Sequence, residues 1–386
     1  MAATLFGATM QRNASRRLAF TLPEVMVAAA MSLVIMAILA VAFQKGIDAF
    51  RTLRAVGQMQ DRLKSAENIL KRDLASEHFG GIHRQGFSGP YVRDQRMDLV
   101  GWMPPEEGFF TVTQASDSVP EGTDGDVDSS RATNHSLQFT IKLTGKREED
   151  YFTAQAPGNV AALSPSDFAR TGQLVSRWGE VSYFLVANGD STTGPAPQPL
   201  FSLYRRQRVI AASSSGATTA ADEASYPELS VSGGQLNSPS TIVQRGKRSP
   251  LSKDTGSGAW HPSRLQDAFE GDDILLTDVI SFEVKANWSS GAASLPAEGL
   301  PSGFDWPFAV FPASPRNATF NANRRTFDTW SSTDGNGIDW NDLTSINASS
   351  ANRPPLRIRV NSLQIRIRVW DKATESARQI TIVQDV

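Results

Sequence analysis

Ala19-Phe20-Thr21-Leu22-Pro23-Glu24 leads straight into Val25–Phe43, VMVAAAMSLVIMAILAVAF, nineteen residues without a charge. As a helix this run spans roughly 28 Å, about the hydrocarbon thickness of a bilayer. It is apolar on every side, so it lacks the single buried stripe of a soluble amphipathic helix. Arg12, Arg16 and Arg17 precede it with no acid before Glu24, and Lys45, Arg51 and Arg54 follow closely. Positive charge on both flanks leaves the orientation open by charge counting, but the segment reads as membrane-spanning.

Three readings of this N-terminus compete. A secretory signal has an apolar core of about 7–15 residues and a small-x-small cleavage site. Ala28-Ala29-Ala30 and Ala40-Val41-Ala42 offer such sites, but the run is longer and Glu24 stands at its mouth. A plain single-span anchor accounts for the length and leaves residues 19–24 without a role. The third reading uses them. The basic leader, Ala19-Phe20-Thr21-Leu22-Pro23-Glu24 and the long apolar helix together resemble the prepilin processing signal of type IV pilins and type II secretion pseudopilins. That resemblance implies cleavage by a prepilin peptidase between Ala19 and Phe20, N-methylation of Phe20, and Glu24 as mature position five. Ala19 stands where the family usually has Gly, and Pro23 where it usually has an aliphatic residue. Ala is the smallest replacement for Gly, and proline suits the first turn, where its missing N–H has no helical partner anyway.

Glu24 is costly where it sits. A carboxylate at a membrane boundary costs a few kcal/mol unless it is paired or reaches water. In pilin-like assembly its partner is the free amine of a neighbouring subunit, which cleavage before Phe20 creates. Such a desolvated pair serves registry more than raw stability.

Beyond the span, Val56, Met59, Leu63, Ala66, Leu70 and Leu74 are spaced by three and four, one helical stripe. Pro23 to Glu77 is therefore expected as one helix whose second half packs on the protein's own globular domain. The remainder reads as strands: Asp98–Trp102, Phe109–Thr113, Ser136–Thr144, Val181–Ala187, Phe201–Ile210, Ile274–Ala286, Leu356–Val360, Leu363–Trp370 and Gln379–Gln384. Strands in succession without intervening helices favour antiparallel sheets. The expected fold is α+β and pilin-like: one long N-terminal helix, membrane-spanning in its first half, on antiparallel sheets. The division is a leader at 1–19, a transmembrane and assembly helix at 20–44, its amphipathic continuation at 45–80, and a periplasmic β-rich domain at 81–386. Long insertions interrupt that domain near 211–262 and 287–355. The second holds Phe304, Trp306, Phe308, Phe311, Phe320, Phe327, Trp330 and Trp340, and aromatic side chains in such number favour folding back onto the sheet.

The 386-residue chain has 38 Lys+Arg against 40 Asp+Glu, a net charge of −2, so no global field recruits nucleic acid. With no cysteine, disulfide frameworks, zinc ribbons, iron–sulfur clusters and cysteine nucleophiles are excluded. Its four histidines form no His-Glu-x-x-His, and no Gly-x-Ser-x-Gly or phosphate-binding glycine loop occurs. His78 and His83, five apart at the helix end, read as solvated surface residues. Asp124, Asp126 and Asp128, and the cluster Asp334, Asn336, Asp339 and Asp342, lack the order of a calcium loop and read as acidic turns. Arg357, Arg359, Arg366 and Arg368 form a basic stripe on strand outer faces, which suits a guarded edge or a partner-facing surface better than nucleic acid. No catalytic residue, cofactor or metal is expected.

Within the pilin-like class, the body resembles the J-type minor pseudopilin of type II secretion. The matching pieces are Leu70-Lys-Arg-Asp-Leu74, Val181-Ser-Tyr-Phe-Leu185, Leu203-Tyr-Arg-Arg206, Leu275-Leu-Thr-Asp-Val279 and the late strand Leu363–Trp370. A mature chain of 367 residues (386 minus 19) is larger than a major subunit. The resemblance implies a non-catalytic subunit at the tip of a short periplasmic filament, helping to initiate its assembly. Its partners would be other minor and major pseudopilins, the prepilin peptidase, the inner-membrane assembly platform and the membrane itself. The alternatives are a minor type IV pilin of a surface pilus, and a membrane-tethered periplasmic enzyme or glycan-binding module.

Overall fold

The computed structural model describes residues 21–97, 99, 102–114, 119–124, 127–133, 135–194, 197–213, 225–232, 234–244, 247–248, 251–253, 260–262, 272–289, 304–305, 325–329, 359–372 and 374–386. Its first element is a single helix, α1, Leu22–Leu74. The helix starts where the sequence provides a start. The Thr21 carbonyl accepts the first helical bond from Val25 N–H at 3.2 Å, so Thr21 is the N-cap and Pro23 falls in the first turn. At the other end Lys71 and Arg72 sit in the last turn, where positive charge complements the helix carbonyls. The Ser76 hydroxyl donates to the Arg72 carbonyl at 3.0 Å, and the chain turns three residues before the expected Glu77.

The chain divides into two compact units, Met1–Gly57 and Gln58–Val386. In the first, α1 is the described element and its apolar side chains from Leu22 to Leu53 are exposed. This helix is long and apolar enough to cross a membrane.

The second unit is built on a nine-stranded antiparallel sheet. In chain order its strands are β1 Phe110–Gln114, β2 Ser136–Lys142, β3 Trp178–Ser191, β4 Pro199–Ile210, β5 Asp272–Ser289, β6 Phe304–Asp305, β7 Arg325–Asp328, β8 Arg359–Asp371 and β9 Ser376–Asp385. They lie in the order β7-β1-β2-β3-β4-β5-β8-β9, with β6 beside the end of β5. The architecture is α+β, as expected from successive strands. Leu63, Ala66, Leu70 and Leu74 of α1 are buried in one core with Phe110, Phe139, Val181, Leu203, Phe282, Ile365 and Ile367 from six strands. The stripe therefore packs on the sheet of its own domain, burying leucines each worth about 1.5–3 kcal/mol relative to exposure.

Alternation is clearest in β8, where Leu363, Ile365, Ile367 and Val369 are buried in that core while Gln364, Arg366, Arg368 and Trp370 are half-buried on the other face. Two expectations change here. Leu356–Val360 and Leu363–Trp370 contribute to one strand beginning at Arg359, and that strand is internal, between β5 and β9. Its arginines therefore guard no edge: Arg366 lies 3.6 Å from Glu283 of β5, and Arg359 Nε–H donates to the Arg93 carbonyl at 2.9 Å. Arg357 lies outside the described residues.

Other differences are local. Leu99 and Trp102 are not in a strand; Trp102 is buried and its indole N–H donates to Gln95 at 3.3 Å. Residues 119–124 and 127–131 form a hairpin in a stretch expected to be loop. Phe152–Gln155 and Gln173–Ser176 pair as a small separate sheet. Within 211–262, Leu229, Val231, Leu236, Ile242 and Val243 are buried. From the 287–355 insertion, β7 pairs with β1 and Phe327 enters the core, so this piece extends the sheet. Its other named aromatics, apart from Phe304 on β6, lie outside the described residues.

Gly108 shows how tightly the helix end is set against the sheet. Its φ is +83°, and a Cβ there would lie 2.2 Å from the His78 carbonyl oxygen and 2.6 Å from Thr140 Oγ1. Gly108→Ala is expected to cost at least about 2 kcal/mol from combined backbone strain and overlap. A urea melt showing the variant within 0.5 kcal/mol of the parent, roughly the range of a neutral surface change, would contradict this packing.

Candidate functional site: a helix terminus and a helix–sheet joint

Two clusters around α1 bear on function, one in each unit: the first is built by residues close in the sequence, the second by residues more than a hundred positions apart. In the first unit, Thr21-Leu-Pro-Glu24 has the Thr-x-x-Glu form of a capping box. Glu24 Oε2 accepts the Thr21 backbone N–H at 3.1 Å and the Thr21 hydroxyl at 3.1 Å. The carboxylate thus satisfies an N-terminal donor of its own helix and lies at the positive end of the helix dipole. It is exposed, and Oε2 is the atom both bonds use, so Oε1 retains lone pairs for an outside donor. Ala19 and Phe20, the expected processing residues, lie outside the described residues.

Downstream of Glu24 the exposed apolar surface does not stop at Phe43. Phe43, Ile47, Phe50 and Leu53, spaced four, three and three, are 51–75% exposed. They form a stripe on the helix with Lys45 and Asp48 on the opposite side, Arg51 at its margin and Arg54 on the same face. Sequence reasoning stopped at the end of the uncharged run. The three-and-four spacing that revealed residues 56–74 was the signal that could have found this stripe.

In the second unit, the pieces Leu70–Leu74, Val181–Leu185 and Leu203–Arg206 converge. Asp73 Oδ2 accepts the Tyr183 hydroxyl at 2.6 Å and Arg205 Nε–H at 2.7 Å. Tyr183 and Arg205 stand opposite each other on β3 and β4, so both reach the helix from one face of the sheet. The side chains of Arg205 and Asp73 are 7% and 3% exposed. Burial, and then the charge of Asp73, push the Tyr183 hydroxyl well above the usual tyrosine range, so it stays protonated and donates. Nearly two turns earlier, Glu67 accepts from Lys64 at 2.8 Å and Lys71 at 2.7 Å, and these two bonds hold it below the ordinary glutamate value.

His78 overturns the surface expectation. The helix has ended before it, so a spacing argument on a helical face does not apply. The following bend carries the ring into the core, against Phe79, Phe110 and Phe139 at centroid separations of 6.2, 5.0 and 5.1 Å. Nδ1 is 2.8 Å from the Thr140 carbonyl and Nε2 is 3.3 Å from the Leu74 carbonyl. Burial lowers its pKa to about 4, with the two carbonyls offsetting part of the desolvation. His83 is exposed, as expected. His135, which sequence reasoning did not single out, is also buried and accepts the Val284 N–H on Nδ1 at 3.0 Å.

The sheet face turned away from α1 carries a layer of ionic side chains. Arg206 grips Asp272 through two bonds of 2.7 and 2.8 Å, and Glu180 accepts the Ser230 hydroxyl at 2.8 Å. Glu283 lies 3.6 Å from Lys285. Arg248 reaches the edge of the sheet, donating to Asp328 at 2.9 and 3.0 Å and to Thr111 at 2.9 Å. These are charge-pairing contacts that order the sheet. Among the described residues, no group of three or more His, Cys, Asp or Glu side chains is arranged to hold a metal ion. Asp124 and Asp128 lie on opposite strands of the hairpin, while Asp126 and the 334–342 cluster are outside the described residues.

No protein-family model, curated protein or solved structure matches the chain.

Two stability measurements test the joint. Asp73→Ala leaves Arg205 buried without its carboxylate and is expected to cost about 3–5 kcal/mol, while Asp73→Leu with Arg205→Met is expected to cost far less. Equal losses for the two in urea unfolding would show that charge pairing is not what holds the contact. For His78 the folded pKa lies below the unfolded one, so its contribution is complete above about pH 6.5 and disappears as pH falls toward 4. About 2 kcal/mol should be lost between pH 7 and pH 5 through this residue. Against the parent, His78→Gln should flatten the unfolding free energy over that interval; an unchanged slope would assign the acid sensitivity elsewhere.

Proposed function

We propose that this chain is a minor pseudopilin: a structural, non-enzymatic subunit at the tip of a type II secretion pseudopilus that helps initiate the filament. It enters the inner membrane as a single-pass precursor with its β-rich domain in the periplasm. A prepilin peptidase then removes residues 1–19 and methylates Phe20. On the assembly platform, Phe20 and Glu24 set its register against other minor and major pseudopilins. The reading requires no cofactor, no metal and no nucleic acid.

The observation that carries this reading is α1. One unbroken helix exposes apolar side chains from Leu22 to Leu53, bears a solvent-accessible carboxylate in its first turn, and buries its final turns in an antiparallel sheet. Exposed apolar surface of that extent requires lipid before assembly or neighbouring helices after it. A glutamate capping its own helix with one oxygen has the other available for an amine, the chemistry that cleavage before Phe20 supplies. The ionic layer on the far face of the sheet is read as structural because Arg206, Arg248, Lys285 and Arg366 pair with carboxylates of the same domain.

The test is mass spectrometry of the mature N-terminus from membranes with and without the peptidase. The expected species begins at N-methylated Phe20 and appears only with the enzyme. A chain retaining Met1, or starting inside the span at Met31, would overturn the reading. Glu24→Gln should be processed normally yet enter filaments at least tenfold less than the parent. The lost capping charge costs only about 0.3–1 kcal/mol of helix stability, so unfolding would not explain such a defect.

A further inference from the structure

β9 is an edge strand whose charged residues are Arg378 and Asp385 alone. Its ten pairs with β8 run from Asp371↔Ser376 to Ser362↔Asp385 without a register shift, so no bulge twists it out of reach. The strand Ser376-Ala-Arg-Gln-Ile-Thr-Ile-Val-Gln-Asp385 contains no proline and no lysine. Among the described residues, no strand pairs with its other side.

The hydrogen-bond phase says which groups are left. Val386 N–H donates to the Asn361 carbonyl at 3.3 Å, continuing the same register. Because antiparallel pairs alternate, the even-numbered residues of β9 direct their N–H and C=O toward β8. Ala377, Gln379, Thr381, Val383 and Asp385 then direct theirs toward the open side, and all five are exposed. A groove of about 460 Å³ lies beside this edge, between Gln60, Asp61, Leu63, Lys64 and Glu67 of α1 and Gln379 and Ile380 of β9. Its floor is apolar where Leu63 and Ile380 meet the core. Two residues before Ile380, on the same face of the strand, Arg378 Nε is buried without a hydrogen-bond partner.

We propose that this edge and groove receive an extended segment of a different protein, which pairs with β9 as an added strand beneath the second-unit part of α1. The backbone groups of the five outward residues supply the ladder, and alternate side chains of the incoming segment enter the groove. The site specifies an apolar side chain between Leu63 and Ile380 and a carboxylate that pairs with the Arg378 guanidinium. This rests on the reading of the chain as an assembly subunit, to which it adds the surface used and the chemistry of the partner segment.

Hydrogen exchange of the full-length chain tests it, comparing native membranes of the producing cell with the purified chain in detergent. The peptide covering residues 377–385 is expected to exchange at least tenfold more slowly in membranes at its outward-facing amides, while β3–β4 peptides stay unchanged. Thr381→Pro removes an outward N–H without touching the β8 ladder and should abolish that protection with little change in thermal midpoint. Lys64→Glu, which sets an extra negative charge in the groove against the incoming carboxylate, is expected to weaken protection at least threefold without altering the edge backbone. Equal exchange in both samples, or full protection in Thr381→Pro, would overturn the proposal. Protection that also appears in the purified chain as it self-associates would assign the edge to a second copy and likewise overturn it. Sequencing the mature N-terminus in the same membranes separates the two failures. A chain beginning at Phe20 with an unprotected edge sinks only this proposal, whereas a protected edge on a chain retaining Met1 sinks only the pseudopilin reading.

Discussion

The Asp73 carboxylate is buried where the long helix meets the sheet, and it is matched there by two donors from adjacent strands. A desolvated carboxylate is expensive, and its pair with Arg205 roughly breaks even against apolar residues of similar size. What it provides is position. Turning α1 by one residue would swing Arg72 or Leu74 into the place of Asp73, leaving Arg205 facing a like charge or no charge at all. The contact therefore admits one rotation of the helix, the rotation that puts Leu63, Ala66, Leu70 and Leu74 on the sheet. Hydrophobic burial supplies the larger energy, but it is non-directional. The ion pair selects among the packings that burial alone would tolerate.

The same division of labour recurs across the sheet. Its helix-facing side is mostly apolar and is interrupted by Arg205 and the Tyr183 hydroxyl at Asp73, whereas the opposite side pairs Arg206 with Asp272 and sets Glu283 among Lys285 and Arg366. Each pair joins neighbouring strands or neighbours along one strand, and a one-residue slip would send every member to the apolar face. A charge without its partner in that layer would cost several kcal/mol. Register is therefore specified from both sides of the sheet, by greasy residues on one and by matched charges on the other.

Much of this was legible in the sequence. The helix from residue 22 to residue 74 was visible in an uncharged run followed by a three-and-four stripe, and the central strands in their period-two alternation. Three short pieces singled out for their resemblance to a family turned out to meet at Asp73, Tyr183 and Arg205. The misses have physical causes. His78 was assigned to water because polarity was read without the turn at residues 75–77 that carries the ring inward. The arginines of β8 were assigned to an edge because one-dimensional patterning does not say which strands neighbour which. The open edge at β9 was invisible for the same reason: an unpaired ladder is a property of sheet order. Short strands such as Phe152–Gln155 hold too few residues for alternation to rise above chance.

In α1 one element carries two incompatible solvation requirements. From Val25 to Phe43 the helix carries no charge and exposes apolar side chains all round, and no rotation of the helix in water hides them. From Leu63 onward one face is buried in protein and the other holds charges such as Lys64 and Lys71. Residues 43–57 lie between these regimes and satisfy neither fully. They keep an apolar stripe through Leu53, add Lys45, Asp48, Arg51 and Arg54, and contain Gly46 and Gly57, each costing a helix interior about 1 kcal/mol relative to alanine. Among the described residues, and apart from the helix's own backbone, no atom lies within 4 Å of where a Cβ would stand at either glycine. Between its two solvation regimes the helix thus gives up stability at two positions while exposing Phe43, Ile47, Phe50 and Leu53.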